Sequence, residues 1–541
     1  MKMKKFIAPV LSLSLLVPTL AYAETPPMTR ATVSTPAADL RAGLDYLLSE
    51  HFVLAVTAMT KAYDGAKDAQ AAYDALDQNA LDMQPAIASL YGEAGAAEFN
   101  RIFRAHNKYT DDLVKAMKAK DAEGIKKAQA QVDGFITEFG AFLGTATGGK
   151  LPAKAAQDAV RLHEQQVQET FDEYVEGDFK GAYDTFREGF KTMFTISKAL
   201  SGAITTQMPE KFMNTKADTK AADLRSTLNS LVSEHVALSV LEMQKQYDGA
   251  KDYNALIEAE KGNTADFKGA IQSIYGQAGA DQFEKIWVTN HIAAQSDLAE
   301  AAKKGDAAAK EQIMKRIDMF STEFGAFLGT ATAENLPTKA AQDALRTHEM
   351  QIQGALDKYA AGDYTAAYKT FREAYKFVFG VGQNLGGAIV AQFNDKFQDA
   401  PMMPSNPGTP STPAPGMATV WMKINSKTLK INGKTTMMDT TPFIWSNTTY
   451  IPLRYLAEGI GANVSWDGKN TVWVKAGSDT LTFWIGADYM EVNGMKKQIG
   501  TKLIADKNGR AAVPLRFITE LLGWDVNWNT KDWSVKLTKA M

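Results

Sequence analysis

The sequence predicts a multidomain protein: two all-α helical-hairpin bundles in tandem duplication, then a C-terminal α+β domain made of two ββαββ-like repeats. Three observations carry this prediction. Residues 37–212 and 221–396 repeat one another, with AADLR at 37–41 and 221–225 and EFGAFLGTAT at 138–147 and 323–332. Apolar residues in both copies recur at helical spacing, as in Leu40, Leu44, Leu47, Leu48 and His51. After residue 417 the composition changes abruptly, and eight of the nine tryptophans fall in 418–541.

At 541 residues, 45% hydrophobic and 22% charged, the chain is too long for one core and ordinary for globular protein. A net charge of −3 offers no basic field, so no nucleic-acid partner is expected. The absence of cysteine excludes disulfides, thiolate nucleophiles and Cys-type zinc sites together. Any transition-metal site must use His, carboxylate, Met or Tyr.

Residues 1–23 read as a signal peptide. Lys2, Lys4 and Lys5 start it, Phe6 to Leu20 is apolar, and Ala21-Tyr22-Ala23 is a cleavage signature before Glu24. That run is too short to span a membrane, and no later stretch reaches transmembrane length. An exported protein is expected, extracellular or held at the cell surface by binding. The Thr/Pro-rich residues 24–36 read as a flexible lead-in.

Within the copies, Pro85, Pro152, Pro209 and Pro337 are placed where helices begin or end. Tyr63-Asp64-Gly65 and Tyr247-Asp248-Gly249 look like helix-ending signals. The breaks predict three helical hairpins per copy, about six helices. Gly140 and Gly144 of the shared decapeptide suit a close backbone approach at a helix end, with Glu138 and Glu323 as its polar members. Arg187-Glu188 and Arg372-Glu373 read as an ion pair or a solvated helix face.

Residues 400–417 form a Pro/Ser/Gly-rich linker. In 418–541, Val420–Ile424, Thr471–Lys475 and Ser534–Leu537 alternate as strands do, with Asn432-Gly433 and Asp467-Gly468 as turns. A second duplication, at an offset of 62, relates Tyr450-Ile451-Pro452-Leu453-Arg454-Tyr455 to Ala512-Val513-Pro514-Leu515-Arg516-Phe517, followed by Gly461 and Trp466 or Gly523 and Trp528. Together with Asn432-Gly433 and Asn493-Gly494, these motifs resemble the copper amine oxidase N-terminal-like domain, or stalk domain, of secreted bacterial proteins. The resemblance implies a surface-associated accessory module and carries over no active site. A copper amine oxidase would need a large β-rich catalytic domain, a modified tyrosine and three histidines around it; this chain has no histidine after His348. Most tryptophans here read as core, with Trp445, Trp484 and Trp533 the better candidates for exposure and sugar stacking.

The histidines point to a site. All six lie at matched positions: His51, His106 and His163 answer to His235, His291 and His348, at offsets of 184, 185 and 185. A scarce, titratable, metal-competent side chain recurs three times per copy amid divergent surroundings. Glu50, Glu164, Glu234 and Glu349 are adjacent carboxylates able to support a metal. Neighbours on a helix point ~100° apart, so Glu and His of a pair cannot both aim straight inward, and one could be a ligand while the other supports it from outside or faces the surface. Three imidazoles, with or without a carboxylate, suit copper, zinc or iron, or haem. Met59 and Met243, eight positions after the first histidine, would favour copper or haem if they reached the same side. The competing reading is of core histidines closing hydrogen bonds between helices.

The function expected is that of a secreted, non-catalytic binding protein of the cell envelope or matrix, with a His-ligated metal in each helical copy and residues 418–541 attached to a cell-wall or matrix polymer. The alternatives are an extracellular metalloenzyme with one centre per copy and a purely structural surface spacer.

Overall fold

The computed structural model describes residues 30–399 and, of the C-terminal part, 417–540 except 446–447, 460–461, 477–478, 499–501, 507–509, 516–524 and 530–532. The expected signal peptide, residues 24–29 and the expected linker up to residue 416 lie outside the described residues.

Each helix of the first copy starts and stops on local chemistry. Helix α1 (Pro36–Asp64) is N-capped by Thr35, whose side chain accepts from the Ala38 N–H, and closed by Gly65 at φ 68°. Asp121 caps α3 (Ala122–Ala146) and Asp178 caps α5 (Phe179–Gln207) in the same way. Pro152 precedes α4 (Ala153–Glu176) and Pro209 follows α5, as their fixed φ suits. Pro85 departs from expectation: it lies inside α2 (Ala69–Ala119), which breaks instead at Gly92, φ 76°. Counting α2 as two segments gives the six helices and three hairpins expected.

The second copy runs α6 (Lys220–Asp248), α7 (Tyr253–Trp287), a π-helical turn Val288–Ile292, α8 (Ala293–Lys304), α9 (Ala307–Ala331), α10 (Thr338–Ala360) and α11 (Tyr364–Gln392). It bends at Gly276, φ 74°, in register with Gly92.

Unbroken runs Ser49 to Lys61 in α1 and Ser233 to Lys245 in α6 are buried. A helix covered all round must have neighbours on every side. These two sit centrally, because the copies pack against each other around a shared apolar core containing Phe52, Phe186 and Phe190 of one and Val236, Phe371 and Tyr375 of the other. The polar contacts across this interface come in reciprocal pairs, as in a two-fold dimer. Arg372 binds Glu50 at 2.8 Å, and Arg187 binds Glu234 at 2.9 Å. Buried Lys61 meets Asp68 and the Tyr359 hydroxyl; buried Lys245 meets Asp252 and the Tyr174 hydroxyl. Arg187 and Arg372 are thus inter-copy anchors and not a solvated face.

Part of the expected flexible lead-in is fixed. Val33 is buried beside Ala221 and Val390, and its carbonyl accepts from Arg225.

The shared decapeptide is a packing device. A Cβ on Gly144 would lie 2.8–2.9 Å from Ala153, and one on Gly140 would meet the Gln157 backbone nitrogen at 2.8 Å. Gly144→Val is expected to cost roughly 1–3 kcal/mol through overpacking, read as a lower urea midpoint. Gly134→Ala, where the added Cβ meets nothing in an exposed helix interior, should instead raise the midpoint, by roughly 0.5–1 kcal/mol of unfolding free energy.

The C-terminal part is strand-rich. Its elements are β1 (Met417–Lys423), β2 (Thr428–Ile431), β3 (Lys434–Met437), β4 (Phe443–Trp445), β5 (Thr448–Pro452), α12 (Leu453–Gly459), β6 (Asn463–Trp466) and β7 (Thr471–Ala476). The second repeat follows as β8 (Asp479–Trp484), β9 (Tyr489–Val492), β10 (Met495–Gln498), β11 (Ile504–Ala505), β12 (Ala511–Pro514), β13 (Asp525–Asn529) and β14 (Ser534–Ala540). Three antiparallel sheets form, in orders β13-β14-β1-β2-β3, β10-β9-β8-β7-β6 and β11-β12-β5-β4. Each repeat lends its last two strands to the sheet that the first three strands of the other begin. The two Pro-Leu-Arg strands pair directly, with Ile451 opposite Val513. Asn432 and Gly433, like Asn493 and Gly494, hold positive φ in two-residue hairpins, as expected. The helix expected after Pro514 lies largely outside the described residues. Among the tryptophans whose side chains are described, Trp466 and Trp473 are exposed, at 56% and 36%. Trp466 was expected in the core, but β6 is an edge strand. Trp484 and Trp533 are half-buried, and the Trp445 side chain lies outside the description.

Candidate metal centre

Each copy brings its three histidines together inside the bundle. One ligand nitrogen from each of His51, His106 and His163 lies within 4.8 Å of the others, and the same holds for His235, His291 and His348. All six are buried. Tetrahedral coordination at 2.0–2.1 Å places nitrogens about 3.3 Å apart, so small ring movements suffice.

The rings are held by aromatic contacts. His106 stacks on Phe135 and His291 on Phe320, each at 4.4 Å and 11°. In the first copy the His106 Nδ1–H donates to the Phe103 carbonyl at 2.8 Å, leaving Nε2 as a lone pair facing inward. His51 has only a loose side-chain contact to Asn79, with no aligned hydrogen bond at either nitrogen, and His163 Nδ1 has no aligned partner among the described residues. Buried histidines that merely tie helices together would have such partners. In the second copy His235 Nε2 lies 2.8 Å from His291 Nε2. Two lone pairs cannot face each other at that distance, so one ring donates its N–H to the other, and the rings must part by about 0.5 Å for a tetrahedral ion to bind both. His235 Nδ1 is 2.7 Å from Glu260, an outer carboxylate of the kind that orients metal ligands.

The four adjacent carboxylates divide into two pairs. Glu164 lies 3.6 Å from His106 Nε2 and 3.8 Å from His163 Nε2. Glu349 lies 2.9 Å from His291 Nδ1, without hydrogen-bond alignment, and 4.0 Å from His348 Nε2. Glu164 faces the Nε2 atoms and can join its triad, whereas Glu349 stands at His291 Nδ1, behind the Nε2 that faces His235, and can support that ring from outside. Glu50 and Glu234 do neither: Arg372 with Asn79, and Arg187 with Asn263, occupy their oxygens. The angular offset between helix neighbours is the reason, since His51 faces its own bundle and Glu50 faces the other copy. Met59 and Met243 pack in the shared core. Eight residues of helical rise, about 12 Å, take them beyond coordination range.

Sequence reading missed Glu260, the π-helical turn carrying His291, and the inter-copy roles of the arginines. One signal was present: the histidine offset changes from 184 to 185 across Val288–Ile292, a one-residue insertion.

Burial sets the electrostatics. It lowers all six histidines, His106 to about 4 and His163, His291 and His348 to about 3. The rings are therefore neutral, as metal ligands must be. Burial also raises Glu164 and Glu242 to about 8, Asp45 to about 6, and Glu50, Glu260 and Glu349 upward. The depressed histidines contribute stability above pH ~6.5 that is lost as pH falls toward their folded values. The raised carboxyls contribute stability below pH ~4.5 that is lost as pH rises toward theirs. Between these limits the two groups oppose each other. Metal-free protein is expected to melt highest between about pH 4.5 and 6.5 and lower at pH 3.5 and 8.5, measured by calorimetry with chelator present.

No helix among the described residues is long and apolar enough to cross a membrane. The helical part is thus a paired bundle with two histidine clusters, joined to a duplicated antiparallel domain. The family described as copper amine oxidase N-terminal domain matches that second part, at residues 416–473 and 430–537. The match covers under a quarter of the chain and none of the histidines. No curated protein and no solved structure matches the chain.

Proposed function

We propose that this is an exported metal-binding protein of the cell envelope, in which each helical copy holds one divalent transition-metal ion. The observation that carries the reading is the convergence of three buried imidazoles in each copy, several of their nitrogens lacking aligned partners. His51, His106, His163 and Glu164 would hold the first ion, and His235, His291 and His348 the second, with Glu349 supporting His291 from its Nδ1 side. Three neutral nitrogens, with or without a carboxylate, suit zinc, copper(II) or iron(II). Haem is disfavoured, because the imidazoles converge on one another and do not flank a flat slot. The test is metal content after loading the purified chain with Zn²⁺, Co²⁺ or Cu²⁺ in turn and desalting. Two ions per chain support the reading; none under any metal overturns it.

The family match and the exposed Trp466 and Trp473 support an attachment role for residues 418–541. Their ring faces suit sugar rings of a wall or matrix polymer. Full-length protein is expected to sediment with a cell-wall fraction, and the Trp466→Ala/Trp473→Ala variant to remain at least tenfold more in the supernatant. Equal sedimentation would remove the tryptophans from that role.

A further inference from the structure

The two triads differ in what lies beside them. A cavity of ≈ 580 Å³ reaches His235, His291 and His348, and its walls include Leu231, Phe267, Ile271, Trp287 and Phe320. That volume is in the range of small-molecule sites. Leu224, Ile274, Tyr275, Leu385 and Phe393 also face it. Their first-copy counterparts, Leu40, Leu90, Tyr91, Leu200 and Met208, instead close on Phe212 and Ala217 as a packed cluster.

The second triad is also turned differently. The inserted residue makes Val288–Ile292 a π-helical turn, a feature that recurs at functional sites. It aims His291 Nε2 at His235 and Nδ1 at Glu349, whereas His106 Nδ1 is tied to a backbone carbonyl. Glu349 does not line the cavity, while all three imidazoles do.

Coordination and charge indicate what would enter. Three neutral imidazoles leave a tetrahedral ion one donor short, and Glu349, which stands at His291 Nδ1, does not line the cavity. At the mouth stand Lys220, Lys396 and Asp223, and Asp223 is already paired with Arg41 and Lys198. The rim therefore favours anions.

We propose that the second copy's metal keeps a coordination position open to this cavity and binds there an apolar carboxylate, head on the ion and hydrocarbon body against the aromatic walls. The inference rests on the metal reading above. The test uses the full chain loaded with Co²⁺, with decanoate as probe. Decanoate is expected to shift the visible absorption of one of two bound ions and to saturate at one per chain. Ile271→Trp and Leu385→Trp, which fill the cavity from different helices, should each weaken binding at least tenfold while both ions remain. Two ions with a spectrum indifferent to decanoate would overturn the ligand and leave the metal reading intact, as would equally tight decanoate binding by metal-free protein. Fewer than two ions would overturn the metal reading, and this inference with it.

Discussion

Replacing His163 by alanine is expected to reduce bound metal from two ions per chain to one, and His348→Ala to do the same from the other copy. The double variant should hold none. Each triad is built by its own bundle, from α1, α2 and α4 in the first copy and from α6, the π-helical turn and α10 in the second. No histidine is shared between them. Losing an outer partner of a metal ligand costs roughly 10–100-fold in affinity. Losing one of three imidazoles should exceed that, because the remaining donors cannot close around the ion. Competition against a chromophoric chelator resolves such a change per site. Glu50→Gln and Glu234→Gln serve as the contrast, since their oxygens face arginines of the opposite copy. They should leave the stoichiometry at two. A loss of metal in Glu50→Gln comparable to that in His163→Ala would show that the assignment of carboxylates between metal and interface is mistaken.

The site was legible in the sequence to the extent that it depends on residue scarcity and repetition. Six histidines at matched offsets required no knowledge of packing. The hairpin breaks were legible for the same reason, since Gly65, Gly249 and the capping aspartates act locally. What was hidden is whatever depends on the second copy. Glu50 and His51 are adjacent in the chain, and nothing local states which of them turns to its own bundle. Arg187 looks like a surface residue until Glu234 of the other copy is set against it. Pro85 misled for a related reason: proline usually ends a helix, yet here the chain continues through it and bends at Gly92. Trp466 failed in the opposite direction. Its motif position resembles that of a core residue, but the sheet order leaves its strand at an edge.

The interface between copies predicts the largest loss of stability. Glu234 is 1% exposed at its side chain and Arg187 16%. The reciprocal pair, Glu50 and Arg372, is 0% and 13% exposed. Removing an arginine leaves a buried carboxylate with neutral partners only, Asn263 for Glu234 and Asn79 with a long Tyr46 hydroxyl contact for Glu50. Breaking a buried pair in this way costs roughly 3–5 kcal/mol. Arg187→Ala and Arg372→Ala are each expected to lower unfolding free energy by that amount, measured by urea denaturation. Removing the charge as well should restore much of it. Arg187→Met with Glu234→Gln keeps the Asn263 contact and leaves no fully buried ion, since half-exposed Asp266, the other partner of Arg187, keeps Lys191, so it should lie well above Arg187→Ala. If Arg187→Ala cost less than about 1 kcal/mol, the value of an exposed ion pair, the arginine would not be holding the copies together. The two copies would then be joined by their apolar faces alone, and Glu234 would be free to turn toward the histidine beside it.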